Sequence, residues 1–149
     1  SSDLVHPFDD DDVIAGQGTI GMEIIRQAGG AVDAIFVPVG GGGLLAGIAA
    51  YVKHLVPSIR VIGVEPELAA DARESLGRGE IVRWSAADVS RTCADGTRTQ
   101  ALGIRTFAHL RAHLDGVVTV SEAEIVAADA TPSRCRNLQR GRCRAPEFG

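Results

Sequence analysis

A chain of 149 residues, 45% apolar and 4% aromatic, has the length of about one domain and enough apolar content to bury a core. No apolar run reaches the roughly 18 residues of a membrane span, which argues against a membrane protein and for a soluble, cytoplasmic one. The net charge of -4, with arginines concentrated only after Asp129, argues against nucleic-acid binding, whose affinity rests on neutralising phosphates.

The chain opens on Ser1-Ser2-Asp3, polar rather than basic and then apolar, so no signal peptide is visible, and it has no initiator Met. From Gln17 to Gln27, Ile20, Glu23-Ile24 and Gln27-Ala28 recur at helical spacing, and Gly29-Gly30 ends the run as a glycine cap. Val32 to Val39 is a nearly continuous apolar run, the pattern of a strand covered on both faces in a parallel sheet. Leu44 to Leu55 predicts a helix broken at Pro57, and Ile59 to Glu65 predicts the next buried strand. Two βα units in succession imply a parallel sheet with right-handed crossovers.

Leu68 to Leu76 reads as a further helix, and Gly77-Arg78-Gly79 turns the chain into a polar stretch with no clear period through Trp84 and Cys93. Gly103 to Leu114 carries Ile104, Phe107, Leu110 and Leu114 at helical spacing, and Gly116 to Val120 is a short strand. Ser121 and Glu124 then form a capping box that opens another helix. Periodicity is lost after Ala128. The cysteines Cys93, Cys135 and Cys143 have neither the close pairing nor the even count of a disulfide framework or a zinc site, and read as reduced thiols. The fold class expected is α/β, an open, twisted, mainly parallel sheet flanked by helices.

The most telling segment is Gly40-Gly41-Gly42-Gly43, set between the strand ending at Val39 and the helix starting at Leu44. Backbone without Cβ atoms adopts positive φ and comes into contact with an anion, and a helix start adds unpaired N–H groups and partial positive charge. A Walker-type loop would need Lys and Ser/Thr where Leu44-Leu45 stand. A dinucleotide site fits the spacing: Gly41, Gly43 and Ala46 match G-x-G-x-x-A, and Glu65 ends the next strand where an acid would meet a ribose. A turn without a ligand is the bland alternative, disfavoured because four glycines lose backbone entropy that a plain turn need not lose.

Five motifs in order carry a resemblance: His6-Pro7-Phe8-Asp9, Ile14 to Ile20, Pro38 to Leu44, Gly63-Val64-Glu65-Pro66 and Ala94-Asp95-Gly96. Together they resemble the threonine dehydratase and serine racemase family. The resemblance implies pyridoxal 5'-phosphate as cofactor, on the fold shared with the tryptophan synthase β subunit, of which this chain would be part of the large domain. It implies that Gly40, Gly41, Gly42, Gly43 and Leu44 bind the cofactor phosphate. It implies dehydration and deamination of threonine or serine to 2-oxobutanoate or pyruvate and ammonia, with the cofactor phosphate as proton donor to the leaving hydroxyl. A small amino acid would be the substrate, and homo-oligomers would be the assembled form. Gln17-Gly18-Thr19, taken as opening a helix, and Asp95-Gly96 would lie near the cofactor.

Glu65, the carbonyl of Ala69, and Asp71 resemble the family segment that holds a divalent cation, magnesium or manganese, since two carboxylates, a carbonyl and waters make an oxygen shell for a hard ion. The family's Schiff-base lysine stands in a Ser-x-Lys-x-Arg motif that this sequence lacks. The chain's single lysine, Lys53, reads as a solvated surface residue, so no catalytic residue is assigned and the chain alone is expected to be inactive. His109 and His113, four apart, lack the Glu of a zinc-protease motif and read as a partly exposed helical face. Residues 1–128 are thus expected to form part of a cofactor-binding domain whose small domain is missing. Residues 129–149 are expected to be a disordered, non-family tail from a frame change or cloning.

Overall fold

The computed structural model describes residues 5–29 and 32–130. Asp10 starts its first helix, α1 (Asp11–Ala28), by accepting from the N–H groups of Asp12 at 2.9 Å and Val13 at 3.2 Å, and Gly29 at φ 61° ends it. The helix begins six residues before Gln17 because the acids of the Asp9 to Asp12 run serve as cap and first turn rather than as a loop. Gln17-Gly18-Thr19 therefore lies mid-helix, not at a helix start.

Three strands, β1 (Ala34–Pro38), β2 (Arg60–Pro66) and β3 (Gly116–Val120), pair in parallel in the order β1-β2-β3. Val37 pairs with Gly63, and Gly63 with Val117. The helix α2 (Gly43–Leu55) makes the first crossover. The second runs through α3 (Asp71–Arg78), α4 (Ala86–Val89) and α5 (Ile104–His113), with short turns of tighter helix at Glu67–Ala69 and Asp95–Thr97. Four-residue α4, capped by Ser85, has no counterpart in the sequence reading, because one turn is too short to show a period. The chain then enters α6 (Glu122–Ala130), whose capping box forms as expected: the Glu124 N–H donates to Ser121 Oγ at 3.3 Å and the Ser121 N–H donates to Glu124 Oε2 at 2.8 Å. The first two residues of the tail expected over 129–149 still belong to α6, and residues 131–149 lie outside the described residues.

Leu45, Ala46, Ala49 and Val52 of α2 are fully buried against Ile35, Val37 and Val61 of the sheet, with Leu110 of α5 beside them. Each large aliphatic side chain removed from water there stabilises the fold by about 1.5–3 kcal/mol. On its other side α2 crosses α1 at backbone contact: a Cβ on Gly47 would overlap the Ile14 carbonyl oxygen and approach Gly18 N to 2.7 Å. The opposite sheet face differs from the expectation of strands covered on both sides. Phe36 is 62% and Val118 43% exposed, because among the described residues the helix bearing the core, α2, packs on the Val37 and Val61 face. Among the described residues no helix is long and apolar enough to cross a membrane.

Candidate functional site

Each helix start leaves backbone N–H groups that need partners. In five of the six α-helices described, a side-chain oxygen takes them: Asp10 for α1, Glu65 for α3, Ser85 for α4, Asp9 for α5 and Ser121 for α6. The exception is α2, whose N-cap, Gly42, has no side chain to offer. Among the described residues, the N–H groups of Gly40, Gly41, Gly42, Gly43 and Leu44 have no acceptor, and the helix ladder starts only where the Ala46 N–H donates to the Gly42 carbonyl at 2.8 Å. These glycines and Leu44 line a cavity of about 350 Å³, walled also by Phe8, Pro38, Gly96 and Thr97. That volume is within the range of small-ligand pockets. Unpaired amides and the positive end of α2 give it the donors and partial charge that an anion would need.

The glycines are needed for different reasons. Only Gly42 is in the left-handed region, at φ 93°, and a Cβ there would sit 2.9 Å from Leu102 and 3.0 Å from Thr106. Gly41 and Gly43 are instead pressed against Phe8: a Cβ on Gly41 would clash with the Cγ, Cδ1 and Cδ2 atoms of its ring, and one on Gly43 would lie 2.9 Å from its Cβ. Gly40 would meet nothing closer than 3.6 Å. Phe8 belongs to the His6-Pro7-Phe8-Asp9 motif, but no local pattern ties residue 8 to residue 41. Gly96 reaches the cavity as expected of its loop, while Asp95 does not line it.

At the carboxyl end of the neighbouring strand, Glu65, Ala69 and Asp71 are 1%, 2% and 2% exposed. Glu65 Oε1 accepts from the Arg73 N–H at 2.7 Å and Oε2 from the Ala72 N–H at 3.3 Å, so its carboxylate caps α3. Burial pushes Glu65 up to about 7, opposed by the Arg73 amide and helped by the charge of Asp71. Burial likewise pushes Asp71 up to about 7, with Glu74 adding to the shift. Asp71 Oδ2 is buried without a hydrogen-bond partner. Among the described residues, no group of three or more His, Cys, Asp or Glu side chains is placed to hold a metal. The set here is two carboxylates and a main-chain carbonyl, hard oxygen donors with one orphaned oxygen, of the chemistry that a divalent cation takes.

Lys53 departs from its reading as a solvated lysine. Its Nζ donates to the carbonyls of Pro57 at 3.2 Å and Ile59 at 2.9 Å and pairs with Asp115 at 2.7 Å. It stands ten residues into α2, roughly 15 Å along the helix from the glycine loop, and tethers the sheet instead. His109 and His113 stack with ring centroids 6.1 Å apart on a partly exposed face, as expected. The Cys93 N–H donates to Glu122 Oε2 at 2.7 Å, and Cys135 and Cys143 lie outside the described residues.

Unpaired amides at a helix start suit several phosphate ligands, and comparison with known proteins places the chain in a family. The chain matches the pyridoxal-phosphate dependent enzyme family over residues 3–135. It belongs to that family. The dinucleotide reading of Gly41, Gly43, Ala46 and Glu65 is thereby corrected, as the buried Glu65 already indicated. Within the pyridoxal-phosphate family the chain is 52% identical to the biosynthetic L-threonine dehydratase of Burkholderia multivorans, over 84% of this chain and 24% of that protein. The crystal structure of a threonine deaminase from T.th. superposes with a TM-score of 0.81 at 54% identity, covering 85% of this chain and 43% of that one. Serine racemase from Dictyostelium discoideum superposes at 0.76 with 44% identity, over 84% of this chain and 38% of that one. The chain thus spans about a quarter of the threonine dehydratase it matches, and the architecture is the α/β parallel sheet with helices expected from the sequence.

Proposed function

We propose that Gly40, Gly41, Gly42, Gly43 and Leu44 hold the phosphate of pyridoxal phosphate, in a protein whose whole form deaminates L-threonine, or L-serine, to 2-oxobutanoate, or pyruvate, and ammonia. The observation carrying the first part is the start of α2, the one helix start among those described that no side-chain oxygen caps. The second part is supported by identities of 52% and 54% to a threonine dehydratase and a threonine deaminase. Serine racemisation is the second reading, favoured by the 44% identity to a serine racemase.

When bound, pyridoxal phosphate supplies an electron sink for the substrate Cα and a phosphate acid beside the leaving hydroxyl. The residues of this chain supply the binding. Loop amides would hold the phosphate oxygens, Phe8 fills the space beside Gly41 and Gly43, and Gly96 and Thr97 complete the cavity wall. Lys53, held by two carbonyls and Asp115, takes no part, so the chain by itself is expected not to turn threonine over. Glu65, the Ala69 carbonyl and Asp71 would hold a magnesium or manganese ion, which satisfies the orphaned Asp71 oxygen and offsets two buried carboxylates.

Equilibrium dialysis of the chain against pyridoxal phosphate, pyridoxal, inorganic phosphate and NADH tests the cofactor reading. Saturable binding of pyridoxal phosphate, displaced by inorganic phosphate and much weaker for pyridoxal, is expected. Equal affinity for pyridoxal and pyridoxal phosphate, or preference for NADH, would overturn it.

A further inference from the structure

The carbonyl of Gly41 is turned away from the cavity. Thr106 Oγ1 donates to it at 2.8 Å, and the Gly103 N–H approaches it at 3.4 Å. Thr106 is fully buried and does not line the cavity. Its hydroxyl also lies 3.1 Å from the Gly103 carbonyl, the longer and local contact of the two. All peptide bonds described are trans, and in a trans peptide the C=O and the following N–H point in opposite directions. With the Gly41 oxygen fixed inward, the Gly42 N–H faces the other way, among the unpaired amides of the loop.

That orientation is not secured by the loop itself. Gly42, at φ 93° and ψ -6°, has the conformation of the third residue of a type II turn. A type I turn differs from it chiefly by a half rotation of the central peptide, here the one joining Gly41 to Gly42, and glycines permit both. The rotated form would present a carbonyl oxygen where an anion needs a donor. Thr106 is held in place in turn: Asp9 accepts from the N–H groups of Ile104 at 3.0 Å, Arg105 at 2.7 Å and Thr106 at 3.3 Å, anchoring the start of α5 behind the loop.

We propose that Thr106 is a positioning residue for the phosphate cradle, its hydroxyl locking the Gly41–Gly42 peptide with the N–H toward the ligand. This rests on the reading of Gly40 to Leu44 as a phosphate site. The test compares wild-type chain with Thr106→Val, which keeps the shape and loses the hydroxyl, and Thr106→Ser, which restores it. Affinity for pyridoxal phosphate, inorganic phosphate and pyridoxal is measured alongside the Gly42 amide resonance of ¹⁵N-glycine-labelled protein.

Loss of one buried hydrogen bond predicts that Thr106→Val weakens both phosphate ligands about tenfold, with pyridoxal unchanged and Thr106→Ser close to wild type. In the wild type, inorganic phosphate is expected to shift the Gly42 amide, a readout that stands even if Thr106→Val fails to fold. Unchanged phosphate affinity in Thr106→Val, a Thr106→Ser variant that folds yet binds as weakly as the valine, or a Gly42 amide that stays still while those of Gly41 and Gly43 move would overturn the proposal and leave the cradle standing. Phosphate that moves no loop amide, together with equal binding of pyridoxal and pyridoxal phosphate, would overturn the cradle as well.

Discussion

Glu65 and Asp71 share the first turn of α3: the Glu65 carboxylate accepts from the two amides that follow Asp71, and Asp71 Oδ2 is left buried with no partner. Both carboxyls are pushed up to about 7, burial being the largest cause in each. In the unfolded chain they titrate near 4. Between about pH 4 and 7 the folded state therefore binds more protons than the unfolded one, and stability falls as pH rises through that window. The midpoint of thermal unfolding should be higher at about pH 5.5 than at about pH 8, and Asp71→Asn should shrink the difference to the part that the burial of Glu65 contributes. A wild type and an Asp71→Asn variant with the same slope would show that these acids are not the cause.

The same geometry predicts how a cation acts. Magnesium or manganese should raise the unfolding midpoint at about pH 8, where both carboxyls are charged, and do little at about pH 5.5, where protons occupy them. At a hundredfold excess over its dissociation constant, a bound ion adds about 2.7 kcal/mol. Sodium chloride at matched ionic strength is the control, and Asp71→Asn should be insensitive to the divalent ion. Equal responses to sodium and magnesium would mean screening, not a site.

The order of elements was legible because long periodic runs declare themselves: the predicted helix from Leu44 to Leu55 is observed as Gly43–Leu55, and the strand from Ile59 to Glu65 as Arg60–Pro66. Local chemistry was legible where both partners lie within one turn, as with Ser121 and Glu124. What stayed hidden joins distant residues. Nothing in a sequence links Asp9 to Arg105, Phe8 to Gly41, or Thr106 to Gly41, and these contacts shape the cradle. Of two adjacent acids, Asp10 caps its own helix and Asp9 caps another far along the chain.

Lys53 was misread for the same reason, and its true environment has a measurable cost. With Lys53 and Asp115 side chains only 17% and 32% exposed, Lys53→Met strands the carbonyls of Pro57 and Ile59 and an acid that also accepts from the Val61 N–H at 2.6 Å. A loss of about 1–3 kcal/mol in urea unfolding is expected, against less than about 0.5 for a free surface lysine. Burial would raise the Asp115 carboxyl, but hydrogen bonds from Lys53 and Val61 hold it below the usual range. The tether therefore contributes above about pH 4 and is lost as pH falls further.

Two glycines of the crossing helices α1 and α2, one facing solvent and one at the contact, should respond oppositely to alanine. Gly16 is an exposed, mid-helix position where a Cβ would meet nothing within 4 Å, so Gly16→Ala should stabilise by about 0.5–1 kcal/mol through helix propensity. Gly47 faces the backbone of α1, and its Cβ would overlap the Ile14 carbonyl, so Gly47→Ala should force the helices apart and cost about 1–3 kcal/mol or more. Chemical denaturation of both variants checks the contrast, and a destabilised Gly16→Ala would refute the stated packing.

Asp9 joins the amino-terminal segment to α5 across some ninety-five positions of sequence, accepting from three consecutive amides where Gly103 has no Cβ to obstruct it. Asp9→Ala removes the acceptor from the positive end of a helix and should cost about 1–2 kcal/mol. Because α5 carries Thr106, the loss should also reach the loop: amide exchange at Gly103, Ile104 and Arg105 should speed up, and inorganic phosphate should bind more weakly than stability alone explains. Asp9→Asn, which keeps one acceptor oxygen, should recover part of both effects. An Asp9→Ala chain with wild-type exchange at the start of α5 would show that the helix is positioned by its apolar face and not by this carboxylate.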